Sequence, residues 1–236
     1  MSLTAGALNA WESYMICQGR DMEKTKERKY PLKPFVTISR QAGAGGITIG
    51  EKLVKFLGEE DKETACPWTL FDQNLVTKVM EEHRFPENYT QFMPEDRISE
   101  IQDMIEELFG LHPSSWALAR KTSETILHLA RMGNVILVGR GTSVITRKFL
   151  PGGLHVRFVG SLEKRIQHIQ DYYRISHAQA AEFIKKQDLG RKHYLKYHFD
   201  KDIEDPLLYD LIINTDNISY GDAAKIIGRT LLNLKK

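Results

Sequence analysis

The chain has 236 residues, of which 42% are hydrophobic and 27% charged, the composition of one ordinary globular domain with room for a small appendage. Its 33 basic and 31 acidic residues nearly balance at a net charge of +2, so the composition does not imply nucleic acid as a partner, and an anion site must come from local arrangement. No apolar run approaches the ~20 residues that a membrane span needs, and the N-terminus lacks the pattern of an export signal, so no membrane partner is expected.

The first 33 residues read as an N-terminal helix and a charged linker. Over residues 4–17, apolar side chains recur at helical spacing: Leu8, Trp11, Met15 and Ile16. Thr4 is placed to cap this helix. We expect the helix to pack against another surface, either of this chain or of a second copy in a homodimer. Charge dominates from Gln18 to Lys33 and predicts a solvated linker. Cys17 and Cys66 are too few for a disulfide framework and fit a reducing compartment, so we expect a cytoplasmic protein.

A glycine-rich turn follows the first predicted strand. The β-branched run Phe35–Ile38 predicts the strand, and apolar residues at helical spacing predict a helix after the turn: Ile49, Leu53, Phe56 and Leu57. Glycines at 43, 45 and 46 let the backbone approach an anion, and the free N–H groups of the helix start point into the same space. The pattern favours a phosphate site over a plain tight turn. The Walker lysine is missing, because Gly46 stands in its place, followed by Ile47 and Thr48.

A second buried strand, Trp68–Phe71, ends at Asp72. This acid is either the N-cap of a helix predicted from Asn74 to His83 or a contact to ligand or metal beyond the carboxyl end of the strand. The stretch 84–94 is rich in turn-formers and aromatic residues. Two further helices, at about 95–109 and 114–132, complete what reads as an inserted helical region over about 84–132.

The clearest strand is Val135–Val138, whose continuous aliphatic run is typical of a central strand buried on both faces. Arg140 lies between Gly139 and Gly141 at its carboxyl end, where its guanidinium either points at an oxyanion or is a surface group in a turn. Two more strands are predicted at residues 154–159 and 207–213, and helices at about 161–169, 176–199 and 219–234. The H-E-x-x-H and G-x-S-x-G patterns are absent, which leaves metallohydrolase and serine-hydrolase activity without support.

The glycine loop 39–48, Phe71-Asp72, Val135–Gly141, Asp188-x-x-Arg191 and residues 209–215 together resemble the cytidylate kinase-like family of P-loop proteins, from about Phe35 to Leu232. The resemblance implies an α/β, three-layer P-loop NTPase fold with a five-stranded parallel sheet, an inserted helical region and a helical lid. Residues 34–236 would form this domain, with the lid at about 176–200. It also implies a nucleotide kinase that uses ATP and Mg²⁺.

Two charges of cytidylate kinases are replaced in this chain. Gly46 stands where those enzymes have the P-loop lysine, and Val138 and Gly141 stand where they have acids beside the third-strand arginine. Phosphoryl transfer depends on positioning and on cancelling charge, so these losses are costly unless other residues substitute. Arg40 is the nearest replacement cation, and Asp72 the nearest replacement acid.

Two hypotheses remain open. In the first, the chain moves the γ-phosphoryl group of ATP, with Mg²⁺, to a nucleoside monophosphate, most simply CMP or dCMP. In the second, it is a nucleotide-binding module with little or no kinase activity. Under the first, the catalytic residues are Arg191, Asp188 and Arg40, the acceptor contacts are Asp72, Arg140 and Gly141, and the metal contacts are Thr48 and Asp72. The predicted nucleotide-binding residues are Ser39, Arg40, Gln41, Gly43, Ala44, Gly45, Gly46, Ile47 and Thr48.

Overall fold

The structure is a computed structural model that describes residues 5–24, 33–72, 105, 117–139 and 141–234. Its elements in chain order are α1 (Ala5–Lys24), β1 (Phe35–Arg40), α2 (Gly46–Glu60), β2 (Thr69–Phe71), α3 (Ala117–Met132), β3 (Val135–Val138), α4 (Thr142–Phe149), β4 (Gly153–Val159), α5 (Leu162–Tyr173), α6 (His177–Phe199), a 3-10 turn (Pro206–Leu208), β5 (Leu211–Asn214) and α7 (Tyr220–Leu234). The cap Thr4, the predicted helix at 74–83, the stretch 84–94, the predicted helix at 95–109 except for Ile105, and Arg140 lie outside the described residues.

The five strands form one parallel sheet in the order β2-β3-β1-β4-β5. β1 occupies the middle, with Phe35 paired to Val135 on one side and to Gly153 on the other. β3 is internal, as its aliphatic run predicts, but it lies one strand away from the centre. Because every strand points the same way, the glycine turn after β1 and the Gly139 turn after β3 meet at one edge of the sheet.

Helices cover both faces of the sheet, which gives the three layers. On one face, α2 and α7 pack on an apolar set that includes Val36, Ile38, Val156 and Phe158. On the other face, α1, α3 and α4 pack on residues that include Phe35, Leu137 and Phe71. In α2, the predicted residues Ile49, Leu53 and Leu57 are fully buried. The α/β fold and its five-stranded parallel sheet are therefore those predicted from the sequence.

The N-terminal helix is longer than predicted and belongs to the core. It continues to Lys24, so the part of the expected linker from Gln18 to Lys24 is helical, and residues 25–32 lie outside the described residues. Gln18 is 1% exposed, its Nε2 donates to the carbonyl of Gly133 (3.5 Å), and its Oε1 accepts from Lys33 Nζ (2.8 Å). The hydroxyl of Tyr14 donates to the same Gly133 carbonyl (2.7 Å). The many charged residues of this stretch indicate solvent exposure, so the sequence pattern does not predict that these polar groups are buried.

Two other expectations differ from the structure. The predicted strand 207–213 is shorter, because Pro206 starts a 3-10 turn whose Leu207 N–H donates to the Asp205 carboxylate (2.9 Å). Cys17 and Cys66, which were expected to indicate a reducing compartment, form a disulfide that joins α1 to the segment before β2. The cysteine count therefore gives no support for the compartment. No helix within the described ranges is both long and apolar enough to cross a membrane.

Candidate active site

The glycine loop turns sharply between β1 and α2. Gly43 and Gly45 have φ values of +82° and +77°, a region that L side chains rarely adopt. Space is also short, since a Cβ on Gly43 would lie 2.6 Å from the carbonyl oxygen of Arg165, and one on Gly45 would lie 2.6 Å from Cε1 of Tyr220. The α2 N-terminus, just after Gly45, leaves backbone N–H groups facing the end of the sheet. The loop thus has the backbone of an anion site.

Asp188 links the glycine loop to helix α6. Its Oδ1 accepts from the N–H of Ala42 (2.7 Å) and from Nη1 of Arg191 (3.3 Å), and its Oδ2 accepts from Nη1 of Arg165 (2.7 Å). Arg165 also donates to the carbonyls of Ala42 (3.1 Å) and Gly160 (3.0 Å). The carboxylate of Asp188 therefore binds two guanidinium groups and a loop amide, and it connects α6 to the glycine loop and to α5.

A cavity of about 360 Å³ opens between the carboxyl ends of β1 and β3 and the inner side of α6. We call it the cationic cavity. Its lining is Ile38, Ser39, Arg40, Gly139, Gly141, Thr142, Ser143, Lys186, Gln187, Gly190, Arg191, Tyr194, Leu195, Ile203 and Tyr209. This lining, within the part of the chain that the structure describes, has three cationic side chains and no carboxylate. Helix α4 begins at this cavity, and its first residues follow Gly141, which has a φ of +72°. The cavity therefore suits an anion with more than one charge.

Arg191 lines the cationic cavity, and two hydrogen bonds fix its guanidinium group. Besides its contact with Asp188, its Nη1 donates to the carbonyl of Arg40 at 3.4 Å. Burial lowers the pKa of the Arg191 guanidinium, Asp188 opposes this, and the charges of Arg157 and Arg165 lower it further. The group stays protonated but is partly stripped of water, so an anionic ligand would relieve the repulsion among these arginines.

A fourth cationic group, the guanidinium of Arg157, contacts two residues that line the cationic cavity. Arg157, in the middle of β4, is 5% exposed. Its Nη1 donates to the Ser39 hydroxyl (3.0 Å) and to the Tyr209 hydroxyl (3.5 Å), and its Cζ lies 5.5 Å from the centre of the Tyr209 ring. Ser39 and Tyr209 both line the cavity. Among the described residues, Arg157 has no carboxylate partner, so its buried charge adds to the positive potential of the cavity.

A second cavity, of about 390 Å³, lies on the other side of the glycine loop. It is lined by Gly43, Lys164, Arg165, Thr215, Asp216, Asn217, Ile218, Ser219 and Tyr220. His168 supports this side of the loop, because its Nδ1 lies 2.8 Å from the Gly43 carbonyl and its ring contacts that of Tyr220 edge-on at 5.5 Å. The glycine loop therefore separates two cavities, one lined by cations and one lined by mixed polar groups and an aromatic ring.

The structure brings some of the predicted site residues together. Ser39, Arg40, Gly141 and Arg191 line the cationic cavity, and Gly43 lines the second. Asp188 contacts the loop. Gln41 accepts from the N–H of Gly160 through its Oε1 (3.0 Å) and so supports the loop from β4. Ala44 and Gly46 are buried within the loop, and Ile47 packs against the apolar set under α2.

The two predicted metal contacts do not meet at either cavity. Thr48 lies in the first turn of α2 and Asp72 directly after the edge strand β2, and neither lines the two cavities. The described residues also contain no group of three or more His, Cys, Asp or Glu side chains that could hold an ion. The side chains present do not fit a metal site built by the protein. Mg²⁺ is commonly bound through substrate phosphates with only one or two protein ligands, so this absence is compatible with a metal that is carried by a nucleotide.

Four functional candidates were missed from the sequence: Arg157, Arg165, Lys186 and Tyr209. Arg157 left a signal, because Leu154–Val159 alternates aliphatic residues with His155 and Arg157, which indicates a strand with one polar face. Arg165 and Lys186 lie in helices rich in other charges, so nothing in their local sequence separates them from solvated residues.

Comparisons with known proteins agree with this architecture. The profile of the cytidylate kinase-like family matches residues 35–217. The cytidylate kinase of Pyrobaculum aerophilum is 22% identical over 193 residues, which are 81% of this chain and 89% of that protein. The cytidylate kinase of Pyrobaculum arsenaticum is 22% identical over 191 residues, with 81% and 89% covered. The crystal structure of an uncharacterized protein from Eubacterium ventriosum has a similar fold, with a TM-score of 0.66 at 18% identity over 85% of this chain and 99% of that one.

Proposed function

The chain belongs to the cytidylate kinase-like family, and we propose that it transfers the γ-phosphoryl group of ATP to a nucleoside monophosphate, most simply CMP or dCMP. The observation that carries this proposal is the cationic cavity, where Arg40, Lys186 and Arg191 meet the first turn of α4 beside a glycine loop. Such a surface suits a phosphate monoester facing a second phosphate chain. The names of the two Pyrobaculum relatives support the choice of acceptor.

The two cavities divide the work. The nucleoside of ATP occupies the second cavity, beside Tyr220, and its phosphates lie along the glycine loop. The phosphate of the acceptor occupies the cationic cavity, at the α4 N-terminus and near Lys186. Mg²⁺ arrives on the ATP phosphates, since the described residues offer no cluster of acidic or histidine side chains for it. Arg140, predicted to hold the acceptor, lies outside the described residues, and its role stays a prediction.

The transfer is a displacement at phosphorus. An oxygen of the acceptor phosphate forms a bond to the γ-phosphorus, the bond from that phosphorus to the β-bridging oxygen breaks, and ADP leaves with the electron pair. Catalysis then consists of positioning and of cancelling charge on the oxygens of the transferring group. Arg191 faces this space and is anchored by Asp188, so it is preorganised for that task.

The alternative, a nucleotide-binding module without kinase activity, is not favoured by the family to which the chain belongs. A lid at about 176–200, a homodimer through α1, the lack of nucleic-acid and membrane partners, and a cytoplasmic location also stay predictions. The structure contributes one fact to the lid, which is that α6 spans these residues and is tied to the loop through Asp188.

A screen of nucleoside monophosphates with γ-labelled ATP tests the proposal. We expect label in a diphosphate product for CMP or dCMP, and a rate at least tenfold lower for Arg191→Ala purified in the same way. That variant also excludes a contaminating host kinase, whose activity would not change. Wild-type protein that binds ATP yet labels no nucleoside monophosphate would contradict the proposal and favour the binding module.

A further inference from the structure

The side chain of Arg40 follows a path that involves two glycines. Arg40 is the last residue of β1, and Gly46 begins α2 six positions later in the sequence. A Cβ built on Gly46 would lie 2.9 Å from Cγ and 3.2 Å from Cβ of Arg40. The aliphatic part of the Arg40 side chain therefore lies directly over the Cα of Gly46, in the space where any side chain at position 46 would begin.

The other end of Arg40 lies against Gly139, the residue after β3. A Cβ on Gly139 would collide with Nη1 of Arg40 and would lie 3.2 Å from its Cζ. The guanidinium is thus placed across the carboxyl ends of β1 and β3, in the lining of the cationic cavity. The side chain starts over the glycine loop and ends beside the turn that leads to α4, so its charge lies between the two turns at which donor and acceptor phosphates would meet.

These contacts explain why position 46 can lack a lysine. We propose that Arg40 supplies the positive charge that a lysine at position 46 supplies in the Walker pattern, and that Gly46 leaves room for its side chain, as does Gly139, whose φ of +85° also favours glycine. The inference rests on the proposed function and names the group that binds the phosphate chain of ATP at the point of transfer. The charge comes from the end of β1 and not from the start of α2, and it faces the same proposed site for the ATP phosphates.

An arginine here differs chemically from a lysine. Its planar fork can bind two oxygens at once, which an ammonium group cannot do with the same geometry. Arg191 Nη1 donates to the backbone carbonyl of Arg40 at 3.4 Å, and both side chains line the cationic cavity. Arg40 binds the donor phosphates from the end of β1, and Arg191 approaches them from α6.

Binding measurements on charge-relocation variants test this assignment. Arg40→Met keeps an aliphatic stem over Gly46 and removes the charge. We expect its Kd for Mg·ATP, measured by calorimetry, to rise at least tenfold, whereas its Kd for adenosine, which carries no phosphate, changes less than threefold. The double variant Arg40→Ala/Gly46→Lys restores a cation from the other position and should regain Mg·ATP affinity to within about threefold of wild type. Arg229→Ala, which removes an exposed arginine of α7, is the matched control and should bind like wild type.

The outcomes separate this inference from the proposed function. If wild-type protein binds no Mg·ATP, the proposed function fails. If wild type binds Mg·ATP and Arg40→Met binds it equally well, the role of Arg40 is wrong while the function stands. Should the double variant be folded, as judged by its melting temperature, but bind no better than Arg40→Ala, the equivalence of the two positions is overturned.

A double-mutant cycle tests the path of the side chain. Gly46 has an ordinary backbone conformation at a helix start, so alanine there is tolerated except for its collision with Arg40. Gly46→Ala should therefore weaken Mg·ATP binding by threefold or more in the wild-type background and by less than a factor of two in the Arg40→Ala background. Equal effects in both backgrounds would show that the route across Gly46 does not position the charge.

Discussion

The central strands β1 and β4 present two different faces. On one face, Val36, Ile38, Val156 and Phe158 are at most 2% exposed and pack against α2 and α7. On the other, the register pairs Thr37 with His155 and Ser39 with Arg157, and these polar side chains bond to one another. The apolar face stabilises the fold, and the polar face leads up to the cationic cavity. Alternation along two strands thus separates stability from binding.

The polar face is maintained at a cost. Burying Arg157 without a carboxylate partner among the described residues costs free energy that two hydroxyl groups and an aromatic ring offset only in part. A structural role alone would be served by an apolar side chain of similar volume. The comparison therefore predicts that substitutions on one face lower the free energy of unfolding, whereas those on the other change binding and rate.

The largest expected effect is on the apolar face. Leu154→Ala, at the buried start of β4, should lower the free energy of unfolding by about 2–5 kcal/mol because it removes core contacts and leaves a cavity. Chemical denaturation measures this loss. The KM for the acceptor of the folded variant should match wild type, and a several-fold change in KM would show that the two faces are not separable.

On the polar face, His155 makes stability depend on pH. Burial lowers its pKa from 6.5 to about 4, with Asp210 raising the pKa and Arg147 lowering it. Between these values the unfolded chain binds a proton that the folded protein does not, so stability falls as the pH drops from 6.5 toward 4, by up to about 3 kcal/mol, and levels off below.

The variant His155→Asn can still bond to Thr37 but does not titrate in this range. Its free energy of unfolding should fall less steeply over the same pH interval. Some slope should remain, because burial lowers the pKa of His128 to about 4 as well. Parallel curves for variant and wild type would remove His155 as a cause.

Arg191 should affect rate more than stability. Arg191→Ala is expected to lower kcat about 10²-fold or more, because its charge acts on the transferring group, and to leave KM for the acceptor within about threefold. Lysine at 191 should rescue only partly, since it lacks the bidentate fork. Steady-state kinetics with the acceptor from the screen measures both constants. An unchanged kcat would exclude Arg191 as the catalytic cation.

The smallest effect on stability is expected for Arg157. Arg157→Met replaces a buried charge by an apolar chain of similar length, so the free energy of unfolding should stay within about 1 kcal/mol of wild type or rise. The Kd for the acceptor nucleotide, measured by calorimetry, should increase several-fold, because the cavity loses positive potential. A destabilised variant with unchanged affinity would make Arg157 a purely structural residue.

How far the sequence predicts this molecule depends on the range of the interactions. The strands at β1 and β3 and the helix α2 were predictable, since β-branched runs and the spacing of Ile49, Leu53 and Leu57 are local signals. The path of Arg40 over Gly46 to Gly139 was not, because a side-chain route between two turns needs the strand order. The pairing of Cys17 with Cys66, 49 residues apart, was missed for the same reason.

The sequence predicts the region of the fold in which the site lies, at the carboxyl ends of the strands, but not which side chains contact one another there. The rule that ligands lie beyond the carboxyl ends of parallel strands agrees with the positions of Arg40 and Gly141, which end β1 and follow β3 and line the cationic cavity. Arg191 lines the same cavity from α6, for which the rule makes no prediction. The rule also suggested Asp72, yet β2 is an edge strand separated from β1 by β3, so its end lies away from both cavities. Position at a strand end is therefore informative only when the order of strands is known.

The central claim is that the glycine loop and the cationic cavity are the two halves of one phosphoryl-transfer site. Calorimetry with dinucleoside pentaphosphates tests it most directly, using compounds in which adenosine is joined through five phosphates to cytidine, uridine, guanosine or adenosine. Because one molecule would fill both cavities, we predict that at least one compound, with the cytidine compound ranking first, binds about 10²-fold or more tightly than Mg·ATP, and that Arg191→Ala loses most of this gain. If no compound binds more tightly than Mg·ATP itself, the two cavities do not form one site.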